Sequence, residues 1–397
     1  MVGTVHNIGV LISMPLLGYV SDKWGRAKAS IISAVGLGFG ALKVLPRGNG
    51  EFGYNIYLLL ELLEAALGAA IYTSAFVMVV ELGGNERRVV SSAILGYMIA
   101  LGELVLGIIA WNLPYWRHLL LVVYCPTLLF ILYIFCMKES VRWLLLNGKT
   151  KAANKTLTLI AKLNKLNISD HVLAAVGEGN VVCEKGSATP IEEFNLKLLF
   201  TSRTLLKRLL ICSWWWFSSG YIYYGLLINS VVLPGNKYLN FCLSALVSIP
   251  GDFVAMMTLD RFGRKRILML GYLFCGICCV ANGFIPQDST VAVLILFLLG
   301  KSAAALCYNV VYIYTSELFP TSARSSLVGV CSMASRVGTI LAPLNPLLMA
   351  MWWSLPTLVF GGLALSSAAL MLLTPETRHM QLPDTVAQAE NLRSAKK

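Results

Sequence analysis

The chain has 397 residues, of which 57% are apolar and only 13% charged, with a net charge of +12. Soluble domains carry about 25% charged residues, so this composition, with a mean hydropathy of +0.71, excludes a water-soluble domain and makes lipid part of the solvent. The positive charge does not indicate nucleic acid, which needs one contiguous basic face. Here the basic residues sit in short runs between long apolar segments, as in loops at a membrane surface.

A helix needs about 20 apolar residues to cross about 30 Å of hydrocarbon, and lipid offers no partner for open backbone groups, so the spans are helical. Eleven spans follow in chain order: 2–21, 29–46, 54–82, 89–111, 117–137, 206–232, 239–259, 266–285, 291–318, 325–349 and 352–373. The expected organisation is an all-α membrane protein with a five-span bundle over 1–137, a linker with amphipathic helices over 138–205, a six-span bundle over 206–373 and a tail over 374–397. The first span is not a signal peptide, because its basic cluster follows it. Lys23, Arg26 and Lys28 share one loop, Arg87 and Arg88 another, and Arg261, Arg264, Lys265 and Arg266 a third. These loops, the lysine-rich linker and the tail are expected on the cytoplasmic side. The alternate loops carry only Arg47, Arg117 or Lys237, and the odd span count places Met1 outside. Within the linker, Lys149 to Lys165 has helical periodicity and a lysine face, which suits either solvent or anionic lipid headgroups.

Ten cysteines carry little information, and Cys275, Cys278 and Cys279 read as small packing residues inside an apolar run. His6, His118, His171 and His379 lie near segment ends or in loops, which gives no support to a buried histidine relay. The residues offer no nucleophile–base set, metal cluster or phosphate-binding glycine loop, so neither an enzyme nor a cofactor is expected.

Internal similarity is the most specific signal. Asp22, Gly25 and Arg26 at the end of the first span recur as Asp260, Gly263 and Arg264, 238 positions later. Glu81 and Arg88 recur as Glu317 and Arg324, 236 positions on, and Glu139 with Arg142 is echoed by Glu376 with Arg378. Two homologous halves joined by a linker are the arrangement of parallel-repeat transporters. The glycines suit a tight turn where a helix leaves the membrane. The charges suit either a lock that opens and closes between states or simple fixing of topology.

These motifs resemble a known family. Gly18 to Arg26, reading G-Y-V-S-D-K-W-G-R, looks like the signature of the major facilitator superfamily. E-S-V-R-W-L at 139–144 resembles a segment shared by sugar porters and organic ion transporters, with Val141 replacing proline. Y-I-Y-T-S-E-L-F-P-T-S-A-R at 312–324, the 332–343 and 375–385 segments and Y-Y-G-L-L-I-N at 223–229 resemble the organic cation, organic anion and carnitine transporters. The resemblance implies a plasma-membrane transporter of small organic ions, built as two bundles in pseudo-twofold repeat. It also implies twelve spans, with a large glycosylated extracellular loop after the first. This sequence has no counterpart of the first span or that loop, so it reads as a fragment, a short isoform or an incomplete gene model. A groove is expected in the first bundle, with poor transport unless the chain is extended. The sequons at Asn154 and Asn167 fall in the linker and are expected to stay unmodified.

Charges deep in spans cost about 2.5–3.5 kcal/mol each and are functional hypotheses by default. Asp252 and Arg336 stand about halfway along their spans. They are read as holding the two ends of a zwitterion such as carnitine, as a structural ion pair, or as acting separately on different substrates. Glu61, Glu64, Glu103 and Lys301, the last placed near the start of its span, read as helix anchors. Of the aromatics crowding 214–224 and 308–312, Tyr223, Tyr224 and Tyr312 are favoured by resemblance for cation–π contact. The expected partners are the organic ion and membrane lipid, with a full-length relative or oligomer as a further possibility. A sugar porter of the same fold, which would carry a glutamine-rich motif in 206–232, and a truncated non-transporting isoform are the alternatives.

Overall fold

A computed structural model of the chain describes residues 2–46, 50–68, 71, 78, 88–164, 202–286, 289–319 and 324–377. At 14–18, 22, 88–93, 134, 136, 142, 146, 260 and 324–326 it describes the backbone alone. Among the described residues there is helix and no strand. The first half contains α1 (Val2–Trp24), α2 (Arg26–Gly38, extended by the 3-10 turn Phe39–Val44), α3 (Glu51–Gly68), α4 (Arg88–Asn112) and α5 (Trp116–Tyr124). A 3-10 stretch, Cys125–Leu132, carries α5 into the short α6 (Tyr133–Cys136). The linker contributes α7 (Val141–Leu146) and α8 (Thr150–Asn164). The second half contains α9 (Arg203–Asn229), α10 (Lys237–Leu246), α11 (Ser248–Phe262), α12 (Arg264–Phe284), α13 (Thr290–Leu318), α14 (Arg324–Leu341), α15 (Asn345–Met351) and α16 (Leu355–Leu370).

One departure from the expected spans has a local cause. The segment 239–259 is two helices that meet at Val247. Pro250 lies in the first turn of α11, where its missing N–H costs nothing and its fixed φ suits a helix start. The linker is partly folded: Ser140 caps α7 by accepting from the Trp143 N–H, and Trp143, Leu144 and Ala153 bury against one another between α7 and α8. Residues 165–201 lie outside the described set.

The core of the second half is built on α9, α12, α13 and α16, with Trp215, Trp216, Tyr314 and Phe360 buried at its centre. In the first half α1, α2 and α3 pack together, and the Cys125–Leu132 stretch lies along α2. Two seams join the halves, α1 on α14 and α4 on α10 and α11. By the repeat, α4 and α14 correspond, each opening at the arginine of its motif. Their surroundings differ. α14 packs along α9, whereas α4 has no comparable neighbour in its own half among the described residues. Only 11% of Ile94–Asn112 is buried, against 33–56% in the six other long apolar helices. Among the described residues one flank of α4 is therefore open.

Charges inside the first half are gathered into one knot. Lys43, at the end of the 3-10 turn after α2, is 1% exposed. Its ammonium lies 2.8 Å from Glu61 and 3.2 Å from Glu64 on α3, and donates to the Tyr124 hydroxyl at 3.1 Å. His6 Nδ1, on the first turns of α1, lies 2.9 Å from Glu61 Oε1. His6 is near a helix end, as read from sequence, and it joins two buried carboxylates. His6, Glu61 and Glu64 bring ligand atoms within 4.8 Å of one another, but the Lys43 ammonium already supplies their cation. The knot ties four elements together. Breaking a buried pair from one side costs about 3–5 kcal/mol, so Lys43→Met is expected to lower the melting temperature of the detergent-solubilised protein sharply. Adding Glu61→Gln and Glu64→Gln should recover part of the loss. An unchanged melting temperature in the single variant would contradict this account.

Candidate functional site

The repeated motifs fold into two matching capped turns. Gly25 and Gly263 have φ of 109° and 94°, the region where a Cβ is strained. Each precedes a helix without a side-chain cap of its own. Glu139 supplies one to α2, with Oε1 accepting from the Arg26 N–H at 2.8 Å and the Ala27 N–H at 3.2 Å. Glu376 does the same for α12, accepting from the Arg264 N–H at 3.0 Å and the Lys265 N–H at 3.3 Å. A carboxylate at a helix N-terminus satisfies orphan donors and meets the positive end of the dipole. The glycines also make room, since a Cβ on Gly263 would sit 2.7 Å from Glu376 Oε2. In the second half Arg264 adds an ion pair to Glu317, Nε to Oε1 at 3.2 Å, and Lys265 Nζ donates to the Thr374 carbonyl at 2.6 Å.

Of the other residues singled out in these motifs, Asp22, Arg88, Arg142, Asp260 and Arg324 are described in backbone only, and Glu81 and Arg378 lie outside the described residues. Gly263→Ala is expected to cost about 1–3 kcal/mol and to lower the melting temperature. Gly329→Ala, where a Cβ meets nothing within 4 Å, should leave it unchanged or raise it. Equal behaviour of the two variants would contradict the capped-turn reading.

The second constellation lies midway along the helices, where the halves meet. Lys301 is not near the start of its span: it lies well inside α13 and is 0% exposed. Its Nζ donates to the Tyr223 carbonyl at 3.1 Å and stands 3.3 Å from the centroid of the Tyr223 ring. The Tyr223 hydroxyl reaches across the seam toward Glu103 Oε1 of α4 at 3.4 Å. Asp252, at the start of the second turn of α11 and 5% exposed, accepts from Asn309 Nδ2 at 2.5 Å. It abuts Gly96 of α4, where a Cβ would lie 2.9 Å from Asp252 Oδ2. Glu103 and Asp252 are thus contributed by opposite halves.

Tyrosines surround this cluster. Tyr308 stacks on Tyr223 with centroids 5.2 Å apart and meets Tyr224 edge-on at 6.4 Å. Tyr312 lies 5.9 Å from Tyr308 and 4.1 Å from Trp216. Since Lys301 and Tyr308 both lie against its ring, Tyr223 acts on its surroundings through its hydroxyl. The remaining aromatics of α9 are committed to packing: Trp215 donates to the Ser367 carbonyl at 3.2 Å, Trp216 to Thr315 at 3.0 Å and Tyr221 to Asn345 at 2.7 Å. Arg336 is half-buried on α14, and the described ion pairs do not join it to Asp252.

Sequence reading found Asp252 and Tyr223 but treated Glu103 and Lys301 as anchors and did not single out Asn309. The signal that could have joined them is Gly96, a small residue about two turns before Glu103 on a helix facing the other half.

The chain matches the family model described as sugar (and other) transporter over residues 1–385. It is 30% identical over 394 residues to solute carrier family 22 member 3 of Rattus norvegicus, covering 98% of this chain and 69% of that protein. It is 33% identical to an organic cation transporter protein of Drosophila melanogaster, with 98% and 70% covered, and 31% identical to solute carrier family 22 member 2 of Homo sapiens, with 98% and 69% covered. The fold matches the proton:xylose symporter XylE bound to 6-bromo-6-deoxy-D-glucose, with a TM-score of 0.70 at 19% identity over 99% of this chain and 88% of that one. It also matches the inward-open xylose transporter XylE from E. coli, with a TM-score of 0.73 at 17% identity and the same coverage. Paired turns, seams and sequence agree: this multi-pass membrane chain belongs to the sugar (and other) transporter family of the major facilitator superfamily and, within it, to the solute carrier family 22 group.

Proposed function

We propose that the chain moves small organic ions across the plasma membrane by alternating access between its two halves. The observation that carries this reading is a buried set of opposite charges and tyrosines at the seam where the halves meet. The names of its relatives, organic cation transporter among them, agree with it. Arg336 receives the anionic end of a substrate, its planar guanidinium suiting a carboxylate. Asp252 receives the ammonium end, with Tyr224 and Tyr312 offering ring faces and Tyr223 placing its neighbours. A zwitterion such as carnitine engages both ends.

The gating elements are the two capped turns on the cytoplasmic face, with Asp22, Gly25, Arg26, Glu81, Arg88, Glu139 and Arg142 in one half. Their counterparts are Asp260, Gly263, Arg264, Glu317, Arg324, Glu376 and Arg378. The tail shares that face. The capped turns keep each half rigid while the two seams slide. A sugar porter of the same fold ranks second, since nothing in a neutral sugar calls for a buried lysine and two carboxylates.

Uptake into proteoliposomes tests the reading with tetraethylammonium, benzoate and betaine as cation, anion and zwitterion. Arg336→Gln should cut benzoate and betaine uptake by about tenfold or more, and Asp252→Asn should do so for tetraethylammonium and betaine; tenfold is the effect of about 1.4 kcal/mol. Unchanged charge selectivity in both variants at normal protein levels would reject the two roles.

A further inference from the structure

Asp252 and Glu103 are not equally available to a ligand. Asp252, which the reading above places at the ammonium end from the second half, already spends one oxygen on the Asn309 amide, and its other oxygen stands against Gly96. Glu103 is half-buried. Its Oε1 is engaged, at 3.4 Å, by the Tyr223 hydroxyl, and its Oε2 is shielded from solvent and makes no hydrogen bond. Such an oxygen retains nearly the full cost of desolvation without a partner to offset it.

Lys301 does not discharge that cost. Its ammonium is held by the Tyr223 carbonyl and ring, and among the described residues no carboxylate stands within ion-pair distance of it. The contrast with Lys43 decides the matter, since that ammonium has two carboxylates at 2.8 and 3.2 Å. In the first half the carboxylates have a resident cation in contact; at the seam they have one at a distance, with an unused oxygen.

We propose that Glu103 is the cation-specificity residue that the first half contributes to the transport site, its free Oε2 accepting the positive group of a bound organic cation or zwitterion. The assignment rests on the organic-ion reading above and sharpens it. The Tyr223 hydroxyl and the substrate cation then share one carboxylate. Tyr223 belongs to α9 and Glu103 to α4, so the substrate joins the two halves directly, beside the 3.4 Å Tyr223–Glu103 contact. Lys301 sets the selectivity: a second cation enters because two carboxylates face one lysine, and a neutral ligand leaves the unpartnered oxygen as it was.

Equilibrium binding to the purified chain in nanodiscs tests this without requiring transport. The probes are tetraethylammonium, betaine and benzoate. Glu103→Gln should weaken tetraethylammonium and betaine by about tenfold or more, the scale of losing one close charge–charge contact, while benzoate binding changes less than about twofold. Glu103→Asp, which keeps the charge, should restore a substantial part of the cation affinity. A role in helix packing alone would weaken all three probes together, and that result overturns the assignment. Tetraethylammonium binding unchanged in Glu103→Gln also overturns it, while leaving the organic-ion reading intact if wild type binds the probes. Wild type that binds none of the three overturns the organic-ion reading itself. Should Glu103→Gln fail to purify, Tyr223→Phe is read instead. It frees Oε1 without removing charge and should hold or strengthen tetraethylammonium binding, and a loss of cation binding there counts against the proposal.

Discussion

A charge placed inside hydrocarbon must find its counter-charge within the protein, and this constraint organises the molecule. Three of the described lysines and arginines meet it in different ways. Lys43 is riveted by Glu61, Glu64 and a tyrosine into a knot that fastens α1, α2, α3 and α5. Arg264 is drawn to Glu317 at the end of the spans. Lys301 rests on a carbonyl and a ring with its carboxylates at a distance. Tight neutralisation makes a rivet, and loose neutralisation makes a site, because only the latter leaves free energy for a ligand to collect.

The same distinction separates the rigid parts from the moving ones. Within α1–α3 and within the second half, contacts are dense and apolar, and a distant glutamate caps the helix that follows each D-x-x-G-R turn. Between halves the described polar ties are few: the Tyr223–Glu103 contact and a long Cys242 Sγ to Leu104 carbonyl approach at 3.9 Å. Elsewhere the seams rest on close approaches to small residues, Gly3 on Pro343 and Gly96 on Asp252. Packed cores resist gradual deformation, so the inexpensive motion is one half against the other, with the central charges lying on the line of motion.

Much of this was legible in the sequence, and the reasons for the misses are physical. The D-x-x-G-R turns could be read because a left-handed glycine and its spacing are local properties. The glutamates of the motifs could be named but not explained, since Glu139 reaches its helix from 113 residues away. Lys301 was misplaced toward a span end because hydropathy marks a helix's apolar length and says little of which partners reach it. The break at Val247 was missed because a proline two or three residues into a helix leaves the apolar run intact. His6 sits near a helix terminus, a position usually wet, and only the folding of α3 against α1 brings it to Glu61.

The central claim is that two rigid halves pivot on weak seams when a charged ligand enters between them. Spin labels at Lys23 and Arg261, both exposed and at corresponding ends of α1 and α11, report on it directly in a cysteine-depleted background. A second pair within one half, at Lys207 and Arg261, serves as the internal control. Pulsed electron–electron distance measurements should show the Lys23–Arg261 distribution shifting when tetraethylammonium saturates the protein, with the Lys207–Arg261 distribution unmoved. An inter-half distance that stays fixed under saturating ligand, or an intra-half distance that moves as much, would contradict the account.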